Sequence, residues 1–134
     1  MTGKIIVDAK NSSLGRVASY AAKQALLGNS IFIVNCNDAL VGGNRQSILE
    51  EYREARARGG SSMKGPFFPK IPERVMKRTV RGMLKHRTGR GREAFKRIMC
   101  YNEIPAEHRE AKMVSFPKEF KIKTITLKEL FKLI

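Results

Sequence analysis

The sequence predicts an α/β domain on a parallel sheet, with basic helical and loop insertions, and three observations carry that prediction. The first 45 residues read strand, helix, strand: a short β-branched run, an apolar stripe at helical spacing, then a continuous apolar run. A strand–helix–strand unit of this length closes with its two strands parallel. The basic charge is gathered into one segment: residues 53–97 hold 15 Lys or Arg against three Glu, which is +12 of the formal +15. Such charge opposes folding by self-repulsion, so a polyanionic partner must supply the missing negative charge.

Taken in order, Lys4 to Asp8 is the first strand. Asn11, Ser12 and Ser13 offer N-cap oxygens before Leu14. Leu14, Val17, Ala18, Ala21 and Ala25 form the stripe of a first helix, and Gly28 is its natural stop. Ile31 to Asn35 reads as a strand covered on both faces, and Ala39-Leu40-Val41 as a brief extended piece. Asn44 is placed to cap a second helix with Ile48, Leu49 and Tyr52 inward. Glu50, Glu51 and Glu54 would pair with Arg53, Arg56 and Arg58 on its outer side. Gly59 to Lys70 is a loop by composition. Pro72 suits the first position of a basic third helix. Residues 86–92, HRTGRGR, are too rich in Gly and charge to pack, and Glu93 to Arg97 is a short helix leading into a third strand at Ile98 to Tyr101. Thr126 and Glu129 form a capping box for a last helix, with Leu127, Leu130, Phe131 and Ile134 inward.

The length fits a single domain over residues 1–134, and 42% hydrophobic residues suffice for a core of moderate size. No apolar run approaches the ~20 residues that span a bilayer. Met1-Thr2-Gly3-Lys4 leads straight into the first strand, so the chain reads most simply as cytosolic, without membrane partners. Cys36 and Cys100 read as two buried free thiols rather than a disulfide. His86 and His108 lie far apart and outside any metal-ligand pattern, so no metal is expected. Gly42-Gly43-Asn44 and Ser13-Leu14-Gly15-Arg16 could be phosphate-binding turns, but neither matches a nucleotide fingerprint. Asp8 and Asp38 read as turn and cap residues. No nucleophile, base and orienter can be assembled, and no cofactor or small-molecule substrate is expected.

The third helix is where the charge acquires direction. Arg74, Lys77, Arg78, Arg81 and Lys85 point into an arc roughly 100° wide at ~100° per residue. Val75, Met76, Thr79, Val80, Met83 and Leu84 take the opposite side, and only Glu73 interrupts the basic run, in the first turn where the helix dipole favours it. His86, Arg87, Arg90 and Arg92 continue the run, with Gly89 and Gly91 allowing close approach of backbone to phosphate. Lys96 and Arg97 extend it, and Arg45, Arg56, Arg58, Lys64 and Lys70 precede it. A membrane surface is a poorer fit, because the apolar side has no Trp or Phe to insert. Phe67 and Phe68 either stack on unpaired bases or anchor their own loop, and anchoring is the favoured reading. A nucleic-acid contact is therefore the leading expectation. Its rival is an RNA-modifying or nucleotide-using enzyme on a Rossmann-like core.

Several motifs resemble the L-thirteen family of large-subunit ribosomal proteins. They are Val7-Asp8-Ala9, Leu14-Gly15-Arg16-Val17-Ala18, Ile33-Val34-Asn35, Gly43-Asn44, then Val80-Arg81-Gly82-Met83-Leu84, Gly91-Arg92-Glu93-Ala94 and Tyr101. The likeness runs from about residue 5 to residue 117, and Arg74-Val75, Thr79 to Leu84 and Ile104-Pro105 are similar to the archaeal and eukaryotic branch. The chain departs at Lys85, where the family commonly has Pro, and Lys allows the helix to run a turn further. The resemblance implies a three-layer α/β/α domain with a small, four-stranded, mostly parallel sheet. It also implies binding to large-subunit ribosomal RNA beside neighbouring ribosomal proteins in the cytoplasm, and a part in subunit assembly. By position, Arg16 and the stretch from Arg81 to Arg97 would face the RNA.

Overall fold

The computed structural model describes residues 3–57, 71–108, 113–115 and 124–133. In chain order the elements are β1 (Lys4–Asp8), α1 (Leu14–Leu26), β2 (Ser30–Val34), β3 (Leu40–Gly42), α2 (Arg45–Ala57), α3 (Pro72–Met83), α4 (Gly89–Lys96), β4 (Ile98–Cys100), β5 (Met113–Ser115), β6 (Thr124–Thr126) and α5 (Leu127–Leu133). Short 3-10 turns fall at Cys36–Asp38 and Ala106–His108.

The main sheet has four strands in the order β4-β2-β1-β5, and every neighbouring pair is parallel. The register pairs Ile5 with Ile31, Val7 with Ile33 and Ile31 with Ile98. Partners in a ladder project to the same side, so these residues share one face, which packs into a core with Val17, Ala21 and Ala25 of α1 and Val75, Met76 and Val80 of α3. The opposite face carries Ile6, Phe32, Val34 and Met99. There Ile6 and Val34 are buried, Phe32 lies half-buried under the Lys4 ammonium at 5.0 Å, and Met99 is 42% exposed.

The first unit follows the sequence closely. Ser13 is the N-cap of α1, though its hydroxyl makes no capping bond, and Gly28 follows the helix at φ +101°, a conformation Gly adopts without strain. Asn44 caps α2 through its Oδ1, which accepts from the Gln46 N–H at 2.9 Å. Ile48 and Leu49 are buried, and Tyr52 meets the Phe131 ring edge-on at 5.8 Å. Thr126 caps α5 by accepting the Glu129 N–H at 3.2 Å, and Leu127, Leu130 and Phe131 are buried.

The brief extended piece after Ala39 is present as β3, which pairs antiparallel with β6, Leu40 opposite Thr126, in a separate two-stranded ribbon. Three expectations are corrected. Helix α3 stops at Met83 rather than running on through Lys85, because Leu84 turns extended (φ −109°, ψ 147°) and buries its side chain. That turn also leaves Met83 45% exposed instead of inward. Within residues 86–92, Thr88 caps α4, which begins at Gly89, a turn earlier than its sequence suggested, and Gly91 is buried while Arg87, Arg90 and Arg92 stay exposed. The segments holding Gly59 to Lys70, Phe67, Phe68 and Ile134 lie outside the described residues.

Both cysteines are free, Cys36 buried and Cys100 half-buried. A hydrogen bond between Cys36 and Cys100, together with burial, pushes the Cys36 thiol far above its usual range, and burial raises the Tyr52 phenol. Both groups hold protons more tightly folded than unfolded. The stability this confers is present at neutral pH and is lost as pH climbs past the unfolded values of ~8.5 for the thiol and ~10 for the phenol. Urea midpoints measured from pH 7 to pH 10 should therefore fall, and the fall should flatten in Cys36→Ala. A midpoint that rises with pH would contradict the assignment. Truncation separates the two methionines: Met76→Ala should cost ~2–5 kcal/mol as a buried deletion does. Met83→Ala should stay within ~0.5 kcal/mol of wild type as surface changes do, both read by urea denaturation.

Candidate nucleic-acid interface

The basic surface starts from α3. Its inner side is Val75, Met76 and Val80, all at or below 1% exposure. Turning those inward leaves Arg74 and Arg81 fully outward, with Lys77 and Arg78 half-buried at the edges. Both ends of α3 are fixed from outside the helix. Pro72 opens it, and the Glu73 N–H donates to Asn102 Oδ1 at 2.9 Å. At the other end, the Leu84 side chain seats in the core.

The following turn is built tightly. The Thr88 hydroxyl donates to the Lys85 carbonyl at 2.7 Å and accepts from the Gly91 N–H at 3.2 Å, which joins the turn to the first turn of α4. Gly91 lies against this turn so closely that a Cβ there would collide with the Lys85 carbonyl. Lys85, Arg87, Arg90 and Arg92 consequently project from a fixed backbone, all exposed, with His86 half-buried among them. No carboxylate pairs with Lys85 or Arg90 among the described residues.

The predicted cations do not all share this surface. Lys96 is exposed at the end of α4. Arg97 turns inward: it donates to the Ala25 carbonyl at 2.9 Å and lies 4.0 Å from Glu93, so it serves the C-terminal end of α1. Lys77 rests its ammonium 5.1 Å from the centre of the Phe95 ring. Arg45 pairs with Glu129 at 3.1 Å, and Arg53 donates to the Leu133 carbonyl at 3.1 Å, which ties α2 to α5. Arg16 is exposed in the first turn of α1, ten residues from Leu26, so ~15 Å of helix separates it from the α4 end. The side chain of Arg56, and all of Arg58, Lys64 and Lys70, lie outside the described residues.

Sequence reasoning missed Asn102 and Thr88. Asn102 gave no local signal, because the N–H it caps, that of Glu73, lies 29 residues earlier in the chain. Thr88 did give one, since Thr before a short helix is an ordinary N-cap, and the surrounding glycines masked it. Asp8 holds a turn: its Oδ1 accepts from the Lys10 N–H at 3.0 Å and from the Asn35 side chain at 2.9 Å. Among the described residues no group of three His, Cys, Asp or Glu is placed to hold a metal, and no helix is long and apolar enough to cross a membrane.

The family model described as ribosomal protein L13 matches residues 3–107, a span that holds α1, α3, α4 and the strands between them. The chain belongs to the ribosomal protein L13 family. It is 44% identical over 111 residues to the large ribosomal subunit protein uL13 of Methanosarcina barkeri, covering 82% of this chain and 79% of that one. The protein of the same name from Natronomonas pharaonis is 41% identical over 127 residues, 94% of this chain and 87% of that one. That from Thermoplasma volcanium is 35% identical over 130 residues, 95% of each. The L13 resemblance read from Val80-Arg81-Gly82-Met83-Leu84 and its companion motifs is thereby borne out.

The two glycines of α4 should respond oppositely to a methyl group. Gly91→Ala overpacks the turn and should cost ~1–3 kcal/mol. Gly89 faces open space, so Gly89→Ala should be neutral or should stabilise by up to ~1 kcal/mol. Thermal melts of both variants decide this, and equal effects would mean the turn is not built as described.

Proposed function

We propose that this chain is a structural constituent of the large ribosomal subunit, which binds and stabilises its ribosomal RNA and acts in subunit assembly. The observation that carries this reading is the single-sign outer side of α3, continued by Lys85, Arg87, Arg90 and Arg92, in a chain of the L13 family. The mechanism is neutralisation: Arg and Lys fix RNA through phosphates and 2′-hydroxyls, with shape read more than sequence. The sheet and α1 serve as scaffold, and the whole chain acts as one domain, because one apolar cluster runs from Val7 to Phe131. Other large-subunit proteins would be its neighbours, and the cytoplasmic ribosome its location. The role is structural rather than catalytic, which accords with the Asp8 carboxylate being engaged in a turn.

Salt tests the mechanism. If six to ten phosphates are neutralised, affinity for large-subunit ribosomal RNA should fall ~10³–10⁵-fold between 50 and 200 mM salt, by the duplex rule. A near-flat dependence would rule the mechanism out. Arg74→Glu combined with Arg81→Glu reverses two outward charges and should abolish tight binding, while stability shifts by no more than ~1 kcal/mol, as surface changes do. Normal RNA binding by that variant would remove α3 from the interface.

A further inference from the structure

Where the C-terminal ends of α1 and α3 meet the start of α4, the surface encloses a cavity of about 260 Å³. Leu26, Met83, Lys85, Thr88, Arg90 and Gly91 line it. Its chemistry is divided. Leu26 and Met83 offer an apolar wall, and Met83, the last residue of α3, is 45% exposed. Leu27, beside Leu26, is 62% exposed. Lys85 and Arg90 stand at the same opening, without carboxylate partners among the described residues. The Thr88 hydroxyl is spent on the Lys85 carbonyl and the Gly91 N–H, so it offers the cavity no donor of its own. A ligand suited to these walls is flat and apolar on one side and anionic on the other.

Size narrows the choice. Pockets for whole drug-sized molecules run from ~300 to 1,000 Å³. This one is smaller and takes a single heterocycle. The thioether of a methionine packs favourably on an aromatic ring, and a guanidinium does so as well. The walls also keep their shape without a ligand, since Gly91 is locked against the Lys85 carbonyl and α4 is capped by Thr88.

We propose that this cavity receives one unpaired base turned out of the bound RNA, laid against Leu26 and Met83, with its adjoining phosphates held by Lys85 and Arg90. The proposal rests on the ribosomal RNA reading above and adds to it a place where a base, not only backbone, is held. Unpaired bases splayed from loops are what proteins most often recognise in RNA.

The test is an NMR titration of the full chain with AMP, with ribose phosphate, which lacks the base, and with inorganic phosphate. AMP should shift the Met83 and Leu26 methyls together with the Gly91 amide. It should bind about tenfold more tightly than ribose phosphate, a preference of ~1.4 kcal/mol that lies within what base stacking supplies. Met83→Ser should erase that preference and leave ribose phosphate binding unchanged. The proposal is overturned if AMP and ribose phosphate bind alike, or if saturating AMP leaves the Met83 methyl unmoved. Ribosomal RNA binding measured on the same samples keeps the two readings apart. Salt-dependent RNA binding without base preference defeats only the pocket, whereas loss of RNA binding defeats the function itself.

Discussion

The seating of α3 on α1 is the contact on which the basic surface depends. The facing side of α1 is built largely from small residues, with Ala18, Ala21, Ala22 and Ala25 all buried, and this lets α3 approach closely. Val75, Met76 and Val80 fill the contact. Three buried side chains of this size contribute ~1.5–3 kcal/mol each. Like charges three or four residues apart on the outer side oppose the helix by only ~0.2–0.5 kcal/mol per pair. Burial wins by a wide margin. A short helix carrying Arg74, Lys77, Arg78 and Arg81 on its outer side can therefore persist without a polyanionic partner.

The same arithmetic divides the cations by task. Arg97 places its guanidinium on the Ala25 carbonyl at the end of α1, where the helix dipole welcomes positive charge. Lys77 lies over Phe95, and Arg45 reaches Glu129. These groups hold the protein's own elements together. Arg74, Arg81, Lys85, Arg90 and Arg92 project outward from backbone that tertiary contacts have already fixed. Preorganised donors of this kind surrender less freedom on binding than a disordered basic tail would.

Much of this was legible in the residues, and what was not has a common cause. The strand–helix–strand start, the α2 cap at Asn44 and the Pro72 start of α3 are local patterns, and each stands where its pattern put it. The failures lie where distant residues decide. Lys85 was free to stay helical, but the pull of the core on Leu84 ended α3 first. Gly-rich residues 86–92 looked too polar to pack, yet Gly91 is there because only a missing side chain lets α4 meet the Lys85 carbonyl. The partner of β3 arrives more than 80 residues later, as β6, and no window of sequence around Leu40 announces it. Of the cations read as one surface, Arg97 shows the limit most plainly. Its charge was visible in the sequence, but its direction was set by where α1 ends.

The strand order carries a consequence in time. β1 lies between β2 and β5, so its two neighbours are synthesised far apart: one ends at Val34 and the other begins at Met113. At translation rates of ~5–20 residues per second, roughly 4–16 s pass between them. Throughout that interval β1, inside the finished βαβ unit, shows a bare hydrogen-bonding edge, the kind of edge that invites pairing with other chains. The polycationic segment emerges in the same interval. An early polyanion could shield the charge, but only the chain's own later residues can cover the edge. Protease resistance of stalled chains ending before and after residue 115 would measure when that edge closes.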